Sequence, residues 1–252
     1  MKHQFQHLKI GSYTQEIARG NVRHAYSIMS YGQVDTGTSV TDLPVRSCNG
    51  GDIKVPQSVQ MSINSTSSDD SAAGTGVRSV VLEYLNGDLD LSYEVIVLNG
   101  TTPVTTLATD IRWIQGLHGA TFGSNGKAVG DISVTNGADT YAQILSNERT
   151  CKTSFRRTPR DKTILVNSIF ASSNSGTWAA RSTVQLVTSK IDGLDQSETG
   201  LLYPRAGVAL QDSSTTLSLD MPLAITSGHI VGFVATTNRN STVGAGFIGW
   251  VE

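Results

Sequence analysis

Five histidines and two cysteines are all that 252 residues hold of those types, and neither is spaced as chemistry would need. No Gly-x-Ser-x-Gly, phosphate-cradling glycine loop or His-Glu-x-x-His occurs, which removes the common hydrolase, nucleotide and zinc-protease signatures. Cys48 and Cys151 lie far apart and in no metal-ligand spacing. Sequence distance alone leaves a disulfide open, although free thiols are expected of a protein made in a cytoplasm. Charge is low, at 16% of residues with a net −2, so no electrostatic pull toward nucleic acid or a membrane surface is expected. No apolar run approaches the ~18 to 20 residues of a membrane helix. Met1 to Ile10 lacks the apolar core of a secretory signal.

What the chain does have is glycine, serine, threonine and the two-residue period of strands. Val80, Leu82 and Tyr84 alternate with Ser79, Val81 and Glu83, and Tyr93, Val95 and Val97 share one face. Asn86-Gly87-Asp88 lies between these runs, which is a hairpin signal. Val104 to Thr109, Asp110 to Ile114 and Ala128 to Thr135 add shorter runs, separated by the glycine-rich stretch Gly116 to Gly126. Later strands are read at Thr163 to Phe170, Thr183 to Thr188, Ala206 to Gln211, Thr215 to Met221, His229 to Ala235 and Val243 to Val251. In the fourth, Leu217, Leu219 and Met221 are expected to face the core. Thr163 to Phe170 carries apolar residues of both parities and is expected to be covered on both faces.

The fold expected is all-β, an antiparallel β-sandwich of jelly-roll type with additional strands; two tandem sandwiches split near Gly137 are the alternative. Three segments follow: an N-terminal arm over 1–41, a first β region over 42–136 and a second over 137–252, separate from the first or continuous with it. The arm reading rests on Gly20 and Asn21, which interrupt loosely helical spacing in Gln15 to Ile28.

Candidate sites are few. Asp69 and Asp70 adjoin in a small-residue loop, but they lack the longer ligand register that Ca²⁺ prefers, so a solvated loop is expected. Lys152, Arg156, Arg157, Arg160 and Lys162 form the one basic cluster of the chain, with Asp161 as its only acid. It reads either as a solvated edge strand or as an interface to an acidic protein surface. No catalytic, cofactor or metal residue is assigned, and no enzyme activity is expected. Glycoside hydrolysis, which needs only two suitably separated carboxylates, is the enzymatic alternative.

The run Ser68-Asp69-Asp70-Ser71-Ala72-Ala73-Gly74-Thr75-Gly76-Val77-Arg78-Ser79-Val80, then Glu83-Tyr84-Leu85 and Val97-Leu98-Asn99-Gly100-Thr101-Thr102-Pro103-Val104, resembles structural proteins of tailed bacteriophages, marine and cyanobacterial ones in particular. Gly123-Ser124-Asn125-Gly126 before Val129-Gly130-Asp131-Ile132, Pro222-Leu223-Ala224-Ile225 and Val243-Gly244-Ala245-Gly246-Phe247 extend the likeness to about Ser58 to Val251. Met1 to Thr41 lies outside it. The resemblance implies a virion component made in the host cytoplasm, most simply a capsid decoration or cement protein. Its implied partners are the major capsid protein or other virion proteins and copies of itself, as a homotrimer. The rivals are a head- or tail-fibre module that binds host glycan, with Trp178 as its contact, and a glycan-cleaving tail enzyme. Trp113 and Trp250 sit within strand patterns and are expected in the core.

Overall fold

The computed structural model describes residues 13–37, 39–47, 53–175, 180–190 and 203–252. Cys48 and Trp178 fall outside them. The chain is all-β, 60% strand and 2% helical, and its strand pairs are antiparallel.

One short helix, α1 (Tyr13–Ala18), precedes β1 (Tyr26–Thr36) and β2 (Val40–Pro44). Then come β3 (Ser62–Ser65), β4 (Val77–Leu85), β5 (Leu91–Val97), β6 (Val104–Thr105), β7 (Trp113–Phe122), β8 (Ile132–Asn136) and β9 (Asp139–Ile144). The chain ends in β10 (Arg156–Arg157), β11 (Thr163–Asn174), β12 (Ser182–Lys190), β13 (Tyr203–Leu210), β14 (Ser214–Thr226), β15 (His229–Thr237) and β16 (Ser241–Val251).

These strands make two sheet pairs, each around its own core. In the outer pair, the sheet β1-β16-β11-β14 faces the sheet β15-β12-β13. Strands β10 and β2 pair one after the other along the free edge of β15. Val166, Ile169, Ala245 and Phe247 from the first sheet meet Val184, Leu186, Val231 and Phe233 from the second. In the inserted pair, β6-β3-β8-β9 faces β5-β4-β7. Ile63, Ile132, Val134 and Ile144 there meet Val80, Leu82, Ile96 and Leu117. A third cluster joins the two bodies, with Leu85 and Trp113 against Phe155, Val187, Ile230 and Val234.

The inserted pair leaves and re-enters the outer one at a single point. The Ser154 amide donates to the Val45 carbonyl at 3.2 Å, and the Ser47 amide to the Lys152 carbonyl at 2.8 Å. The Val45 amide in turn donates to Phe233 O at 2.9 Å, and the Phe233 amide to Ser154 Oγ at 3.1 Å. The two ends of the insertion are thus stitched to one another and to the middle of β15.

This arrangement corrects three expectations. Gly137, with φ +60°, turns the β8–β9 hairpin, so the chain does not divide there; the inserted body spans about 53–155. The two bodies are nested rather than tandem. Residues 26–36 are no arm, because β1 pairs with β16 over its whole length, from Tyr26 opposite Val251 to Thr36 opposite Ser241. Two local readings change as well. Strand β7 runs through Gly116 and Gly119, which places His118 in a sheet. Leu217 and Met221 on β14 are exposed, at 40% and 83%. Strand β11 is buried on its inner face and only half-buried on its outer one, where Phe170 stacks on Tyr31 with centroids 6.1 Å apart. Both rings lie in register with Gly246, and a Cβ there would stand 2.5 Å from Phe170 Cζ.

Candidate binding cleft and basic residues

Between the edge of β1 and the outer face of β5-β4-β7 lies a cleft of about 270 Å³. Its geometry begins with a β-bulge. Glu83 pairs with Gly116 and Tyr84 with Ile114, so Gln115 is the extra residue on β7. Freed from the ladder, it docks the inserted pair on β10. The Gln115 amide donates from Nε2 to Arg157 O, and its Oε1 accepts from Arg157 N at 3.2 Å. The Gln115 carbonyl accepts from Arg156 Nη1.

Arg156 is therefore held at the cleft floor, with Nη1 3.5 Å from Glu83 Oε2 and side-chain exposures of 14% and 21%. Its buried Nε has no hydrogen-bond partner among the described residues. Tyr93 stands opposite Glu83 across the β4–β5 ladder, and Tyr26 enters from β1. The two phenols are 62% and 41% exposed. Burial, and then the neighbouring Tyr93 and Glu83, push the Tyr26 phenol up. Burial and Glu83 do the same to Tyr93.

Beside this floor, His118 Nδ1 lies 2.7 Å from Thr150 Oγ1. Burial first, and then Arg156, hold its imidazole below the ordinary 6.5, with Glu83 opposing. Gly116 is what lets these groups approach. A Cβ there would lie 2.6 Å from His118 Nε2 and 3.1 Å from Glu83 Oε2.

The basic cluster does not form one surface. Arg157 is buried, 3% exposed, with Nε donating to Gly228 O at 3.2 Å; its expected place at an interface is corrected, because its guanidinium is spent inside the fold. Arg156 faces the cleft. Arg160 clasps the tip of the β4–β5 hairpin, 2.7 Å from Asp90 and 3.6 Å from Asp88. Lys162 Nζ donates to His24 O at 3.1 Å, and Lys152 pairs with Glu148 at 2.6 Å. Trp113 and Trp250 are buried as expected, and Cys151 is buried, with Sγ 3.9 Å from Ser47 Oγ.

Asp70 also departs from expectation. While Asp69 is exposed, Asp70 is wholly buried and ties three segments together. Its Oδ1 accepts from the amides of Val77 at 2.8 Å and Val129 at 3.1 Å; Oδ2 accepts from Gly130 N at 2.8 Å and Ser65 Oγ at 2.7 Å. Among the described residues no group of three or more His, Cys, Asp or Glu is placed to hold a metal ion. No helix among them is long and apolar enough to cross a membrane.

Several apolar side chains stand in water. Tyr93, Val95 and Val97 line the outer face of the edge strand β5, and Met29 is paired across the ladder with Ile248.

No protein-family model matches the chain, and no curated protein matches it. Among solved structures, the chain is weakly similar to one described as the STIV MCP, at 8% identity and TM-score 0.24, covering 88% of this chain and 96% of that one. Structures of infectious bursal disease virus give 7% identity and TM-score 0.20 for the Gt strain, covering 90% of this chain and 72% of that one. For the Gx strain the figures are 8% and 0.22, covering 100% and 79%. Likeness at this level assigns no family.

Proposed function

We propose that this protein is a non-enzymatic structural component of a virion, a jelly-roll subunit that decorates or cements a capsid and associates with copies of itself. The carrying observation is the strand order of the outer pair. Leaving aside the two-residue β10 and counting the other strands of this pair along the chain as β1, β2, β11, β12, β13, β14, β15 and β16, the first pairs with the last, β2 with β15, β11 with β14 and β12 with β13. We read that nested pairing as a long hairpin rolled into two facing sheets, which supports the jelly-roll reading; double-sheet jelly rolls serve capsid and lectin domains. Fold alone does not carry function. Two further features favour assembly: the phage-like segments quoted above, and the exposed apolar side chains Tyr93, Val95 and Val97 on β5 and Met29 on β1, since exposed apolar patches mark association surfaces.

On this reading the contact to neighbouring subunits is mainly apolar, through Met29, Ile248, Val95 and Val97. Lys152, Arg160 and Lys162 are the members of the basic cluster that an acidic shell surface would reach, and their share of binding would weaken with salt. The test is light scattering of the purified chain at micromolar concentration, together with binding to capsids. Closed oligomers, trimers in the first instance, or stable decoration of shells support the reading. A chain that stays monomeric and leaves shells bare would overturn it.

A further inference from the structure

We infer that the cleft between β1 and β5 is a binding site for one neutral pyranose ring of a glycan, independently of the virion reading. Such a ring presents apolar C–H faces and a rim of hydroxyls that each donate and accept. Flat aromatic surface and a fixed polar fork are the groups that complement it. The cleft offers both. Tyr26 and Tyr93 bring exposed rings from two different sheets, and neither hydroxyl has a hydrogen-bond partner among the described residues. Glu83 and Arg156 form the fork, loosely paired at 3.5 Å. Arg156 meets the cleft with a side chain 14% exposed, so the fork is held by the fold before a ligand arrives.

Charge and size narrow the ligand. Because the carboxylate and guanidinium neutralise one another, an anion would meet Glu83 and a cation Arg156, so an uncharged polyol is favoured over both. The volume of about 270 Å³ lies just below the ~300 to 1,000 Å³ of sites for drug-sized ligands, which suits one ring entered from an open mouth. Among the described residues Glu83 is the one carboxylate lining the cleft. Glycoside hydrolysis uses two, so the site is assigned binding and not cleavage. The bulge at Gln115 and the glycine at 116 are what place the fork; neither is legible as a binding motif in sequence.

The test is saturation-transfer NMR on the full chain with the methyl glycosides of glucose, galactose and mannose at millimolar concentration. At least one should show saturable binding. Tyr93→Ala, which removes an exposed side chain that the fold does not need, should weaken it about tenfold, the loss of one aromatic contact. Glu83→Gln, of the same size, should weaken it at least severalfold. Leu107→Ala, at a residue 88% exposed outside the cleft, should leave it unchanged. Absence of saturable binding by all three glycosides, or a signal that survives Tyr93→Ala, overturns the assignment.

Discussion

The outer and inserted sheet pairs are built from the same kind of strand yet held together differently. In the inserted pair two ladders are local hairpins, β4 with β5 through Asn86 and β8 with β9 through Gly137, and the more distant ones, such as Ser62 with Thr135, stay within the insertion. The Asn86 side chain fixes the first of these turns by accepting from the amides of Asp88 at 3.0 Å and Asp90 at 2.9 Å. The outer pair instead closes only when Tyr26 meets Val251 and the whole insertion has been bridged. Local contacts form fast and distant ones slowly, so the inserted pair is expected to fold first and to deliver its stitched ends, Val45 and Ser154, to β15. The lesson is that a domain in the middle of another can supply the loop closure its host needs.

That contrast can be broken most forcefully at Asp70. Asp70→Ala would leave three backbone amides and the Ser65 hydroxyl without their buried acceptor, at about 3 to 5 kcal/mol. Denaturant titration should show the loss. Hydrogen exchange should rise first in β3 and in the segment before β8, with β16 still protected. Asp70→Asn, which keeps the shape and part of the bonding, should cost about half as much.

Next in size is the seam between the bodies. Arg157→Ala should cost about 2 to 3 kcal/mol, since it removes a buried guanidinium that bonds Gly228 O. Replacing Gln115 by Ala should give a similar loss by freeing both polar groups of the Arg157 backbone. The clasp at Arg160 lies on the surface, and Arg160→Ala should cost no more than about 1 kcal/mol. Equal losses at Arg157 and Arg160 would show that burial does not set the difference.

The pH dependence is smaller and has a definite sign. Burial holds His118 below 6.5, so the unfolded chain takes up a proton that the folded chain resists. Stability should therefore be full above the ordinary imidazole value and decline as pH falls below it toward the depressed value of the folded state. His118→Gln should flatten part of that decline. A slope unchanged by the substitution would remove the imidazole from the account. Smaller still for the monomer, Val95→Ser and Ile248→Ser should alter stability within about 0.5 kcal/mol while lowering assembly seen by light scattering.

Much of the inserted pair was legible because its hairpins carry turn residues and clean alternation. β1 was not, and the reason lies in its two faces. Its inward positions are Ile28, Ser30, Gly32, Val34 and Thr36, whereas Met29 and Tyr31 point outward. The small inward residues fit close to the insertion's exit: a Cβ on Gly32 would lie 2.5 Å from Ser154 N. Polarity therefore gives the wrong face, and an extended arm is the natural misreading. The same holds at the site. The basic residues between Lys152 and Lys162 read as one cluster, yet alternation and turns send the five to five different places. Asp70 looks like loop chemistry because nothing in its neighbours reveals the three amides that converge on it. The cleft joins Tyr26 to Tyr93 across the two bodies, a proximity that depends on the nesting itself.

The nesting has one direct measure, hydrogen exchange of the intact protein followed by peptide across residues 26–36. If β1 is zipped to β16 and closes the outer pair, its amides should be protected to the same degree as those of 241–251, and both should open together in denaturant. Exchange of 26–36 at the rate of an unstructured chain, with 241–251 still protected, would contradict the account and return this segment to an arm.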